Sequence, residues 1–250
     1  LKIALYGKFR TRKTLQIASL MNLVGTEHVT ILSAEKGLGT IQSRVDPARL
    51  IEVDKKDELR ACWKRVKEIP RGDWLCVDGA TNIFNWTLNE HMSGADRYYE
   101  AVAAGIKPDK DDLQYGRFIS DKSDKIDAQK VYGRIGRDLT RFVQEAVILN
   151  CHQYWTFLED MTGVSAREKC IPWGPDVPGK VALQMVMSKF DYIGRLEYNN
   201  KRQLVGKFDP ADAMYLAGTR DEHDAGIVVP PEIVDFDLAS FVTLIQGGSK

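Results

Sequence analysis

The 250-residue sequence predicts an α/β fold, with a central, mostly parallel sheet flanked by helices and antiparallel strands added late in the chain. Two observations carry this. Short apolar runs alternate with longer stretches of helical periodicity, and this alternation is the signature of a parallel sheet covered on both faces. Near the end, two runs are separated only by a polar turn, which reads as a hairpin. With 44% hydrophobic residues the chain can bury a substantial core, and its length sits at the upper end for one domain. A single domain over 1–250 is the expectation.

Taken in order, Leu1 to Tyr6 reads as a strand, followed at once by Gly7 and then by helical spacing from Lys13 to Val24. "HVTILSAE" is the next strand, "KDELRACWKRVKEI" an amphipathic helix, "DWLCVDGA" a strand and "TNIFNWTLNEHM" a helix. "DAQKVYGRIGRDLTRFVQEA" is a long helix and "VILNCHQ" the strand after it. "FDYIGRLEYNN" and "RQLVGKFD" form the hairpin, turning around Asn199 to Lys201, and are expected to extend the sheet antiparallel. A short helix around Asp237 to Ile245 closes the chain. Two long segments break the rhythm, an insert at about 93–126 that contains its own helix, "ADRYYEAVAAGI", and with its mixed acids and lysines reads as a solvated flap, and a loop at about 154–180.

Composition excludes several classes. The 35 basic and 35 acidic residues balance, so no global field marks a nucleic-acid or membrane-surface binder. Cys62, Cys76, Cys151 and Cys170 are scattered, with no C-x-x-C pair, and read as reduced thiols rather than a zinc site or disulfide frame. No long apolar run suggests a membrane span or signal peptide, so a cytoplasmic protein with no membrane partner is expected.

The chemistry concentrates at the strand ends. "GKFRTRKTL" nearly spells the phosphate-binding pattern G-x-x-x-x-G-K-[ST], in which backbone N–H groups surround the phosphates, the lysine adds charge and the hydroxyl meets magnesium. Gly7, Lys13 and Thr14 match; Arg12 stands where a glycine is usual. The candidate nucleotide loop is therefore Gly7, Lys8, Phe9, Arg10, Thr11, Arg12, Lys13, Thr14 and Leu15, lying between a strand and a helix N-terminus that favours an anion. Its plainer reading is a basic turn that caps a helix. Glu35 ends the second strand, where a carboxylate can orient and deprotonate water. Asp78 ends an apolar strand, the arrangement that with Thr14 holds magnesium in phosphate-loop enzymes. His152 and Gln153 end "VILNCHQ", where they can sense a terminal phosphate. Each has a bland alternative: a cap or solvated acid for Glu35, a mere strand-end acid for Asp78, a satisfied structural side chain for His152.

The order of these motifs resembles that of RecA-like ATPases encoded by tailed bacteriophages. "ILSAEKGL" is similar to the strand that ends in that family's catalytic glutamate, "WLCVDGATNI" to its magnesium-binding strand and "VILNCHQ" to its phosphate-sensor strand; "VPGK", "FDYIGRLE" and "AGTRDE" also resemble the phage subgroup. The resemblance spans Leu1 to about Pro231, although the central insert has no counterpart in it. It implies a RecA-like sheet with the sensor strand between the phosphate-loop strand and the Asp78 strand, ATP and Mg2+ as cofactors, and a role in DNA recombination or single-strand annealing. It further implies a homo-oligomer whose site is completed by an arginine from a neighbouring subunit, with Arg195, Arg202 and Arg220 as candidates; the bland alternative, favoured for any one of them, is a surface salt bridge.

The family also places DNA on the loops after the third and fourth strands. Tyr154, Trp155, Phe157 and Trp173, interleaved with Arg167, Lys169 and Lys180, suit a single-stranded partner through stacking and phosphate contacts. The bland alternative is that these aromatics cover the sheet edge. The competing functions are a nucleotide switch that does not turn over, a DNA-packaging ATPase, and last a phosphate-loop small-molecule kinase.

Overall fold

The first strand sets the architecture. In β1 (Lys2–Gly7), Ala4 and Tyr6 enter one core and Ile3 and Leu5 the other, all four fully buried. A strand buried on both faces needs a covering layer on each. The computed structural model describes residues 1–35, 38–118, 127–160, 174–209, 216–219 and 228–247.

The other strands are β2 (Val29–Ser33), β3 (Leu50–Glu52), β4 (Trp74–Asp78), β5 (His152–Leu158), β6 (Tyr192–Tyr198), β7 (Leu204–Lys207), β8 (Gly218–Thr219) and β9 (Glu232–Val234). Among the described residues they form one sheet in the order β3-β2-β4-β5-β1-β6-β7-β9, with β8 also paired to β6. The six strands from β3 to β6 along this order run parallel; β7 and β8 are antiparallel to β6, and β9 to β7. The strand between β1 and β4 is β5.

Helices α2 (Lys56–Lys67), α3 (Ala80–Ala103), α4 (Ala128–Val147) and α5 (Lys180–Met187) cover one face, where Phe84, Ile135, Leu139 and Val186 meet Tyr6, Leu75 and Trp155. Helices α1 (Lys13–Val24) and α6 (Leu238–Gly247) cover the other, with Ile17, Leu20 and Phe241 against Ile3, Leu5 and Cys76. Because the parallel strands share one direction, Gly7, Ser33, Asp78 and Leu158 all end at one edge, with Gly7 opposite Leu158 and Ser33 opposite Asp78.

Four expectations need correction. The apolar "VIL" of "VILNCHQ" is not a strand: α4 runs to Val147 and Ile148 caps it, its N–H bonded to the Gln144 carbonyl. The strand is instead the aromatic run "HQYWTFL", whose side chains suit a pleated, buried surface. The late strands are not all antiparallel, since β6 lies parallel to β1 before the hairpin turns back. The insert does not begin with its own helix, because α3 is one helix of 24 residues through both predicted segments. Nor is the rest only a solvated flap: Tyr115 and Phe118 are buried in the same core as α3. The short edge strand β3, at "LIE", carries too few residues for its period to show in the sequence.

Candidate functional site

The site is built where β1 turns into α1. Gly7 has to be a glycine, for an added Cβ would lie 2.4 Å from the Leu196 carbonyl oxygen and 2.9 Å from Thr11 Oγ1. The Thr11 hydroxyl donates to the Lys8 carbonyl at 2.9 Å and cross-braces the turn. Arg10 and Arg12 take left-handed backbone at φ 63° and 56°. Arg12 thus supplies with an L-residue the conformation for which glycine is usual, at a cost of about 1–2 kcal/mol. Its guanidinium lies 6.0 Å from the Tyr198 ring centre. No side chain caps α1, so its first N–H groups have no intrahelical partner and the positive end of the helix faces the turn. Lys8, Phe9 and Leu15 are exposed around it.

Lys13 folds over this loop. Its ammonium donates to the carbonyls of Gly7 and Lys8 at 2.9 Å each and to Thr11 Oγ1 at 3.2 Å. Burial draws its pKa down to about 8, against the opposing charges of Glu35, Asp78 and Glu159. Beside it, the Thr14 hydroxyl donates to the Asp78 carboxylate at 2.9 and 3.1 Å. Thr156, inside β5, donates to Asp78 at 2.8 Å and accepts from the Gly79 N–H at 2.9 Å. Burial raises the Asp78 pKa, while the bonds from Thr156 and Thr14 and the charge of Lys13 restrain it.

Glu35 arrives from the neighbouring strand, two residues beyond the end of β2. Its side chain crosses Gly79, where an added Cβ would lie 2.4 Å from Glu35 Cγ, and Gly79 itself sits at φ 81°. A glycine after Asp78 therefore makes the room through which Glu35 reaches the site. Burial and then the charge of Asp78 raise the Glu35 pKa, with Lys13 opposing. Such a carboxyl is a better proton acceptor than a free surface acid.

Of the residues singled out from the sequence, Gly7 through Leu15, Glu35 and Asp78 meet at one sheet edge. His152 and Gln153 do not. They begin β5 rather than end it, and six residues at about 3.3 Å each put His152 about 20 Å from the strand's carboxyl end. There the His152 ring lies against Trp74 at 5.0 Å. Gln153 is fully buried, its amide bonded to the Ala146 carbonyl and to Trp155 Nε1. Both lie at the edge away from the loop.

The DNA-stacking aromatics are corrected for a related reason. Tyr154, Trp155 and Phe157 lie within β5 and are buried, and Tyr154 donates its hydroxyl to the Lys13 carbonyl at 3.0 Å. Trp173, Arg167 and Lys169 lie outside the described residues, as does Arg220, and Lys180 starts α5. Arg195, a candidate for reaching another subunit, is buried in β6 between Glu159, at 3.2 Å, and Glu197. Arg202 is exposed at the hairpin turn.

Thr156 and Glu159 are the residues that sequence reasoning missed. Glu159 is buried just past β5, its N–H bonded to the Gly7 carbonyl at 3.1 Å. A hydroxyl within an aromatic strand and an acid just beyond it are visible in "YWTFLED", but only once the strand is placed correctly. Among the described residues no three acidic, histidine or cysteine side chains form a metal-holding group. Magnesium needs no such cage, since it is commonly held by one or two carboxylates together with substrate phosphates, and the Thr14–Asp78 pair fits that mode.

No protein-family model matches the chain, and no curated protein matches it significantly. Among the described residues no helix is long and apolar enough to cross a membrane.

Proposed function

We propose that this protein binds ATP with Mg2+ in the Gly7–Leu15 loop and hydrolyses it, as a RecA-like phosphate-loop ATPase. One observation carries the reading: Lys13, the Thr14–Asp78 pair and Glu35, brought from three separate parts of the chain, converge at the open N-terminus of α1. Lys13 and the loop N–H groups hold the β- and γ-phosphates. Thr14 and Asp78 hold the magnesium ion, which when bound neutralises phosphate charge. Glu35 orients the attacking water and accepts its proton. The service to phage DNA recombination or annealing rests on the sequence resemblance alone.

A non-hydrolysing nucleotide switch is the second reading, favoured by Arg12, whose Cβ occupies the position where a glycine lets backbone approach phosphate most closely. Hydrolysis by the purified protein, with and without single-stranded DNA, separates the two. Lys13→Ala tests both, because removing a charge-assisted hydrogen bond should cost binding about 1.5–3 kcal/mol. Unchanged affinity by calorimetry removes the loop assignment.

A further inference from the structure

Beside the loop, on the outer side of α1, lies a cleft of about 420 Å³. Three arginines line it: Arg12 from the start of α1, Arg44 from a short 3-10 turn, and Arg202 from the hairpin between β6 and β7. Among the described residues, none of the three guanidiniums is held in an ion pair or a side-chain hydrogen bond. The two carboxylates that also line the cleft accept from neutral donors rather than from these arginines. Asp235 accepts from Gln203 Nε2 at 2.9 Å, and Asp237 accepts from the N–H and hydroxyl of Ser240, at 2.9 and 3.0 Å, at the start of α6.

The backbone singles out the same place. Among the described residues four non-glycine residues have positive φ, and three of them, Arg12, Arg202 and Asp235 at 56°, 62° and 53°, line this cleft. The fourth, Arg10 at 63°, is in the adjoining loop. Glycine would take each conformation without the penalty, and such strain gathers where side chains are held for binding. Arg12, whose guanidinium also lies 6.0 Å from the Tyr198 ring centre, Arg44 and Arg202 all line the cleft, and the planar fork of a guanidinium matches phosphate oxygens.

We propose that this cleft is a second phosphate-binding site, distinct from the Lys13 loop, for a ligand that carries phosphoryl or phosphodiester groups. A small phosphorylated molecule and the backbone of a nucleic-acid strand share this chemistry. Its existence does not depend on ATP hydrolysis, or on nucleotide occupying the loop.

The test uses the full chain carrying Lys13→Ala, which removes the lysine from the first site, with and without Arg44→Gln and Arg202→Gln. The probes are inorganic pyrophosphate, by calorimetry, and a fluorescein-labelled oligothymidylate, by anisotropy. With both arginines intact at least one probe binds; the double change weakens it roughly tenfold or more. If the strand is the ligand, the log–log salt slope also falls by about 0.7 for each phosphate that is no longer neutralised. Pyrophosphate binding without the strand assigns a small ligand; strand binding that pyrophosphate barely competes assigns the backbone. Equal thermal unfolding of the parent and the Arg44→Gln/Arg202→Gln protein shows that the fold is kept, and Arg44→Gln alone serves if it is not. No binding of either probe, or binding indifferent to these arginines, overturns the proposal.

Discussion

The depressed pKa of Lys13 should make the proposed nucleotide binding a proton-uptake reaction. In the ligand-free protein burial lowers the ammonium to about 8. Phosphate oxygens placed against it favour the charged form, so binding raises that pKa again. The sign follows: in the window above pH 8 the free protein lacks a proton that the complex holds. A group with pKa near 8 is about half neutral at pH 8 and about nine-tenths neutral at pH 9, so uptake should be about 0.5 proton at pH 8 and approach 0.9 at pH 9. Affinity should correspondingly fall, by about tenfold per pH unit once the free lysine is mostly neutral. Below pH 7 the lysine is charged in both states and its uptake vanishes. Calorimetry of a non-hydrolysable triphosphate, in two buffers of different ionisation enthalpy at each pH, measures the proton count directly. Uptake near zero at pH 8–9, with flat affinity, would refute the claim that Lys13 is a desolvated ammonium meeting phosphate.

The remaining predictions concern separate parts of the site. Glu35→Gln keeps the side chain's size but cannot accept a proton, so turnover should fall by roughly a hundredfold or more while nucleotide affinity persists; surviving turnover removes Glu35 as the base. Gly79→Ala should destabilise the protein by about 1–2 kcal/mol in denaturant titration through its left-handed backbone, and lower turnover by displacing Glu35; wild-type turnover would mean that Glu35 does not act across Gly79. His152→Ala, at the far edge, should leave turnover unchanged, and a large loss would restore it as a phosphate sensor. Arg12→Gly relieves the left-handed strain and should leave nucleotide affinity at the loop unchanged or tighter; a loss of about 1.5–3 kcal/mol would make Arg12 a ligand of that nucleotide.

The sheet was legible because its strands had to be apolar on both faces and its helices on one. The strand–turn–helix at Gly7 to Lys13 was legible because an apolar run gives way at a glycine to helical spacing. What misled was local. "VIL" before Asn150 looks like a buried strand, yet those residues end a helix whose amphipathic pattern begins at Ala128, and the competing signal was the helix's own period. That misplacement carried His152 and Gln153 to the wrong edge and turned Tyr154, Trp155 and Phe157 from core into supposed surface. Glu35 and Asp78 lie at the expected edge because each immediately ends or follows a short, unambiguous strand.

The two absent signals have a common physical origin. Thr156 meets Asp78 and Gly79, on another strand and far back in the chain, and Glu159 meets Arg195 and, through its N–H, the Gly7 carbonyl. Neither partner set is adjacent in sequence, so a hydroxyl in a strand and an acid just beyond it carry no local mark. The arginine cleft is hidden for a different reason. Arg12, Arg44 and Arg202 come from three distant segments, and both the cleft they share and the left-handed backbone of Arg12 and Arg202 are properties of the turns, not of the residue types. Arg12 is the exception, since it belongs to the loop and also lines the cleft. The same residue breaks the phosphate-loop pattern and adopts the backbone glycine would have taken, and its guanidinium lies over Tyr198 while the Lys13 ammonium bonds Gly7 and Lys8. A substitution that looks like decay in a one-dimensional pattern therefore leaves the lysine in place and adds a cation to the neighbouring surface.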